Sequence, residues 1–168
     1  MLTITLTTVD QPDNRLVASA IQKMWQAIGV RPVLEFVAPS QIQSDVIQPR
    51  QYEVLLFGEI LGADPDPYPF WHSSQRDTGL NLTSFDSRQI DHLLEEGRKQ
   101  TDETKRARIY QDFQGALNKQ APAVFLYNPL YLYPQATRVN TVAGKHITVP
   151  ADRFGQIEEW YLYTKRKL

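Results

Sequence analysis

The chain has 168 residues, 42% of them hydrophobic and 11% aromatic, enough to build the core of one compact domain, or of one domain plus a piece of another. Eighteen Lys and Arg stand against nineteen Asp and Glu, a formal charge of −1, so the basic surplus that nucleic-acid binding demands is missing. The absence of cysteine excludes disulfides, thiolate catalysis and Cys-ligated metal while leaving the compartment open. No apolar run approaches the roughly 20 residues of a bilayer span, and no charged, then apolar, then small-residue leader precedes the first strand, so no direct membrane span is expected.

The first segment, LTITLTT, alternates, with Leu2, Ile4 and Leu6 predicted to face one way as in a half-buried strand. From Pro12 to Ile28 the residues Leu16, Val17, Ala20, Ile21, Met24, Trp25 and Ile28 recur at helical spacing, and Gly29 supplies the stop. Val30 to Val37 reads as a second strand, Ser40 to Gln48 as a short helix carrying Ile42, Val46 and Ile47, and Tyr52 to Phe57 as an apolar third strand. This β-α-β-α-β order predicts parallel strands with right-handed crossovers, whose carboxyl ends share one edge.

A loop of more than twenty residues, Gly58 to Asn81, leaves from that edge, and excursions of this length in compact domains are functional or disordered. Its density of carboxylates, prolines and aromatics argues against disorder. Ligands in open α/β sheets sit outside the carboxyl ends of the strands, so position and chemistry agree. Beyond the loop, Ser87 is a candidate N-cap for a helix bearing Ile90, Leu93 and Leu94. Thr101 or Asp102 caps another bearing Ala107, Ile109, Tyr110, Phe113, Ala116 and Leu117, and the two form a helical hairpin. Ala123 to Tyr127 and, after the Asn128-Pro129 turn, Tyr131 to Tyr133 read as strands, and Ile157 to Tyr163 as a terminal one. Thr137 to Arg153 is aperiodic, and the closing KRK reads as a solvated tail.

The ordered series IQKMWQAIGV, YEVLLFG, DPDPYPFWHSS, GLN, IDHLLEEGRKQTDETKRARIYQDFQ, PAVFLYNPLYLY and RFGQIEEWYLY resembles the C-terminal part of the family 5 extracellular solute-binding proteins, the oligopeptide and dipeptide receptors of ABC importers. The resemblance implies a periplasmic-binding-protein-like (type II) α/β fold. Residues 1–141 would be part of the second ligand-binding lobe, and residues 142–168 a tail returning toward a first lobe. It also implies a non-enzymatic protein without cofactor, and a small peptide or similar solute with an ABC permease as partners. The expected location is periplasmic or extracellular, with lipid anchoring or solubility set by a further N-terminal portion.

In peptide-binding members an aspartate after the equivalent strand pairs with the peptide's α-ammonium. That role falls to Asp64 in GADPDP, with Asp66 as the competing assignment, and the insertion at Glu59 departs from the commoner pattern of Gly followed by Trp. Such a carboxylate contributes on the order of 1.5 to 3 kcal/mol once water is expelled. Both aspartates also precede proline, where a carboxylate can simply shape a turn. Tyr68, Phe70 and Trp71 are candidate pocket walls or packing groups, and Asn81 suits backbone recognition or turn stabilisation. Tyr127, Tyr131 and Tyr133 read first as strand faces.

Other chemistries fit less well. A hydrolase using Asp66 and His72 is the other-class alternative, but no GxSxG elbow is present and His72 beside Ser73 and Ser74 reads as a capping or surface group. A calcium loop starting at Asp64 would need Gly and Glu where Pro69 and Gln75 stand. Within the binding proteins, a nickel chelate or an oligosaccharide is the alternative solute.

Overall fold

A computed structural model describes residues 1–61, 64–130, 132–140 and 149–162. The N-terminal third is a three-stranded parallel sheet made by β1 (Thr3–Val9), β2 (Arg31–Val37) and β3 (Val54–Leu56), in the order β2-β1-β3. β1 pairs with β2 from Thr3↔Arg31 to Val9↔Val37 and with β3 from Leu6↔Val54 to Thr8↔Leu56. The helix α1 (Pro12–Ala27) makes the first crossover, with Pro12 at its first turn where a missing N–H costs nothing. A π-helical turn, Ile42–Ile47, replaces the expected short helix in the second crossover.

Two expectations for this unit need correction. The second half of β1 is not half-buried: Leu6, Thr7, Thr8 and Val9 are all buried, because a central parallel strand is covered on both faces. The threonines stay satisfied there, Thr7 Oγ1 donating to Glu35 Oε2 (2.7 Å) and Thr8 Oγ1 to the Leu56 carbonyl (2.8 Å). In α1, Ala18 is the buried residue while Leu16, Met24 and Ile28 are exposed, since the apolar arc of this helix is wider than the strip the sheet covers.

Beyond the sheet stand α2 (Tyr68–Trp71), a 3-10 turn at Ser73–Gln75, and the antiparallel hairpin of α3 (Arg88–Lys99) and α4 (Glu103–Gln120). Asp102 caps α4, its Oδ1 accepting from the Lys105 N–H (3.0 Å), whereas Ser87 stands at the N-cap of α3 without making a side-chain cap bond. Two cores result. Val9, Ile42, Val46 and Ile47, with Val37, Tyr52, Leu55 and Leu82 against them, pack under the sheet. Ile90, Leu94, Phe113, Ala116 and Leu117 pack in the hairpin, where Tyr68, Trp71 and Phe85 join from the loop side.

The strand expected at Ala123 to Tyr127 is not a strand. The segment joins neither sheet, and Val124, Phe125, Leu126 and Tyr127 are exposed, because β propensity forms a ladder only beside a strand that offers bonds. Likewise Leu132 and Tyr133 are exposed and outside any strand, and Tyr131 lies outside the described residues. Of the terminal strand, Ile157–Glu159 is a 3-10 turn and Tyr161–Leu162 is β5, which pairs antiparallel with β4 (Val139–Asn140). Tyr163, the KRK tail and residues 141–148 lie outside the described residues.

Candidate functional site

In the sheet, β1 lies between β2 and β3, so the chain steps from β1 out to β2 and then reverses, passing back across β1 to β3. A crevice opens at the carboxyl ends of strands at such a reversal. The Gly58 to Asn81 loop leaves β3 at this point. It is not a free excursion, because α2 and the Ser73–Gln75 turn fold it onto the hairpin.

Two aspartate–arginine pairs fix its outer course. Asp66 Oδ2 accepts from Arg98 Nε (2.8 Å) and Nη2 (2.6 Å), and Asp66 Oδ1 accepts from the Tyr68 backbone N–H (3.1 Å), so both oxygens are held. The Arg98 guanidinium lies 3.7 Å above the centre of the Tyr68 ring, and that ring stacks on His72 at 4.1 Å. Asp64 is tied more lightly: its Oδ1 accepts from Arg106 Nη2 (2.7 Å), while its side chain remains 63% exposed against 22% for Asp66. Arg106 Nη2 also donates to the Tyr110 hydroxyl (3.2 Å). Hydrogen bonds from Tyr110 first and Asp64 second raise the Arg106 pKa above its ordinary value, and the bond to Asp66 does so for Arg98. Being exposed, such pairs contribute about 0–1 kcal/mol each.

His72 is 8% exposed and caps the Ser73–Gln75 turn, its Nδ1 accepting from the Ser74 N–H (3.1 Å) with the Ser74 hydroxyl 2.8 Å away. This acceptor role puts the proton of the neutral ring on Nε2, which lies 3.8 Å from Asp91 and 3.6 Å from Glu95 and makes no hydrogen bond. Ser73 instead engages Asp91 through its N–H (2.8 Å) and hydroxyl (2.6 Å). The contact between His72 and Ser74 is closer than the sequence suggested. It is nevertheless a cap, and Asp66, bound to Arg98, makes no hydrogen bond to His72. Among the described residues no group of three or more His, Asp or Glu side chains is placed to hold a metal.

Asn81 is fully buried. Its Nδ2 donates to the carbonyls of His72 (3.2 Å) and Phe85 (2.9 Å), and its Oδ1 accepts from Thr83 Oγ1 (2.9 Å) and the Phe85 N–H (3.3 Å). The amide thus spends its hydrogen bonds on the base of the loop, the turn-stabilising use that the sequence offered beside backbone recognition. Trp71 is half-buried against the hairpin core and meets the Phe125 ring at 5.8 Å. Tyr68 is sandwiched between Arg98 and His72, which leaves its edge rather than its faces to the surroundings. Glu59 is exposed and forms no ion pair among the described residues. The surrounding chain still desolvates its carboxyl enough to push it up to about 7. Arg98 and Arg106, absent from the expected site residues, and Tyr110, expected only as part of a helix's apolar face, complete the site. Nothing local in the sequence marks the two arginines, which reach the loop across 32 and 42 residues, and Tyr110 joins them only through Arg106.

The AppA oligopeptide-binding protein of Bacillus subtilis is 25% identical over 114 residues, which cover 67% of this chain and 21% of that protein. Its solved structure, in complex with a nonapeptide, superposes over 97% of this chain and 32% of its own with a TM-score of 0.75 at 22% identity. In sequence and in fold the chain resembles the family 5 extracellular solute-binding proteins. The substrate-binding protein CtaP of Listeria monocytogenes matches 68% of this chain and 24% of its own at 26% identity and a TM-score of 0.60. NikZ of Campylobacter jejuni, in complex with Ni(L-His), matches 95% of this chain and 33% of its own at 18% identity and a TM-score of 0.67. No family profile matches the chain. The fold is periplasmic-binding-protein-like, and the chain spans between a fifth and a third of the length of the proteins it resembles. Among its described residues, no helix is long and apolar enough to cross a membrane.

Proposed function

We propose that this chain forms one wall of the ligand cleft in a substrate-binding protein of an ABC importer, and that the solute is a peptide. The observation that carries the proposal is the fit to an oligopeptide receptor across 97% of the chain, with the Gly58 to Asn81 loop at the strand ends where the sheet order reverses. Residues 1–141 belong to the second lobe, and residues 142–168 return toward the first; the β4–β5 pair bridges the two stretches. Capture works by closure: two lobes hinge around the ligand, exclude water and strengthen the few polar contacts that orient it. Asp64, exposed in the loop, pairs with the peptide ammonium, Glu59 lines the same cleft, and Tyr68 and Trp71 stiffen the wall. The protein performs no chemistry on its solute. It works outside the cytoplasmic membrane, held there or free through a portion preceding this one, and delivers its load to a permease.

One wall supplies at most half of the contacts. Calorimetry of the isolated chain against a pool of di- to pentapeptides should therefore show binding no tighter than about 1 mM, and micromolar binding would contradict the two-walled cleft. The likeness to NikZ supports a second reading, a metal chelate as solute. Titration with nickel–histidine against nickel alone separates the two, since a chelate receptor responds to the complex and a peptide receptor to neither.

A further inference from the structure

The two aspartate–arginine pairs of the loop are unequal, and their inequality says how a cationic ligand would enter. We propose that Arg106 is the resting partner of Asp64 and gives way to a ligand ammonium, while the Asp66–Arg98–Tyr68 stack stays closed as the hinge post of the loop. The proposal rests on the receptor reading above.

Asp66 has both oxygens engaged, one by two nitrogens of Arg98 and the other by the Tyr68 N–H. Withdrawing Arg98 would also unstack it from Tyr68, whose other face is covered by the buried His72. Asp64 has one bonded oxygen and its carboxylate is mostly exposed. Arg106 loses little by release, because the same Nη2 that bonds Asp64 also bonds the Tyr110 hydroxyl one turn along α4, and the guanidinium lies 5.2 Å from that ring's centre. An exposed single-contact ion pair is close to isoenergetic with the solvated ions. Exchange with a primary ammonium entering a closing cleft therefore runs toward the ligand as water leaves. Arg106 is a competitor for the site and Arg98 a positioning residue.

The test uses the chain in solution and follows the Arg106 Nε–H and the loop amides by nitrogen-15 NMR during titration with trialanine, and separately with N-acetyl-trialanine, each to about 10 mM. The free-amine peptide should move the Arg106 and Asp64 signals and the acetylated one should not, and D64N should abolish the response. R106Q should tighten the trialanine response about two- to fivefold, the equivalent of losing one exposed competing ion pair. R98Q should accelerate hydrogen exchange at residues 68 to 72 without loosening the Ile90, Leu94 and Phe113 core, and R106Q should leave that exchange unchanged. An R106Q variant that binds more weakly, or equal responses to the two peptides, overturns the exchange. So does a silent Arg106, an outcome that leaves the receptor reading standing, since half a cleft need not bind at this concentration. Micromolar binding indifferent to D64N would overturn both.

Discussion

Replacing Asn81 by alanine discriminates between a residue that meets solute and one that holds the loop together. The side chain has no accessible surface and makes four hydrogen bonds, between 2.9 and 3.3 Å, to His72, Thr83 and Phe85. Two of these partners are backbone carbonyls and one is a backbone N–H, so truncation strands main-chain groups that water reaches poorly. At about 0.5–1.5 kcal/mol per bond, with the longer two counted at the low end, the loss comes to about 3 kcal/mol. For a chain of this size that lowers the melting temperature by roughly 6–12 °C. Asn81→Asp, nearly identical in shape, turns an oxygen toward the two carbonyls that now receive N–H groups and should cost at least as much. Urea denaturation followed by tryptophan fluorescence reads both variants, with Trp71 reporting from the hairpin core beside the loop. A loss under about 1 kcal/mol in Asn81→Ala, or a stability unchanged while peptide binding by the assembled receptor collapses, would refute the structural role and restore Asn81 as a ligand contact.

Four further substitutions probe separate parts of the molecule. A Cβ on Gly97 would overlap the Tyr110 ring, within 3.0 Å of Cδ1 and Cζ, so Gly97→Ala should destabilise by about 1–2 kcal/mol in thermal melts although helix propensity alone predicts a gain near 1 kcal/mol. Asp102→Ala should cost about 1 kcal/mol through the lost cap of α4, and Ser87→Ala, which removes no cap bond, should fall within about 0.5 kcal/mol of the parent in the same denaturation assay. The Glu59 carboxyl is raised from 4.5 to about 7, so the folded state holds a proton that the unfolded chain releases. Stability contributed at this position is present below pH 4.5 and is lost as pH rises toward 7, and Glu59→Gln should flatten that part of the melting-temperature profile and stabilise the protein at pH 8.

The local rules of the chain carried a good deal of this. Gly29 after an apolar helix, the apolar run Tyr52 to Phe57, of which Val54–Leu56 is strand, and the cap at Asp102 each act within a few residues, and the expected order with its hairpin stands except that a π-helical turn takes the place of the second helix. The misses are non-local. Ala123 to Tyr127 has the composition of a strand, but a strand exists only where a neighbour bonds to it. Leu16, Met24 and Ile28 belong to a helical stripe whose outer margin the sheet does not reach. The loop's acidic residues were visible as chemistry, but their arginine partners sit 32 and 42 residues downstream on helices whose rotation about their axes no spacing rule supplies. Asn81 is the sharpest case: the sequence offers backbone recognition and turn stabilisation equally, and only the fold shows that the chain wraps around the side chain and buries it.

The bare stretch after α4 has a consequence for anyone handling this chain. Val124, Phe125, Leu126 and Tyr127 form an uncharged, exposed, β-prone run with its main-chain groups outside any ladder, the composition from which edge-to-edge association and fibrils begin. Concentrated samples should self-associate, the sedimentation coefficient rising with protein concentration. Phe125→Lys should suppress that rise at little cost in stability, since the ring is 61% exposed. Colloidal behaviour at the bench would thus be governed by these four side chains.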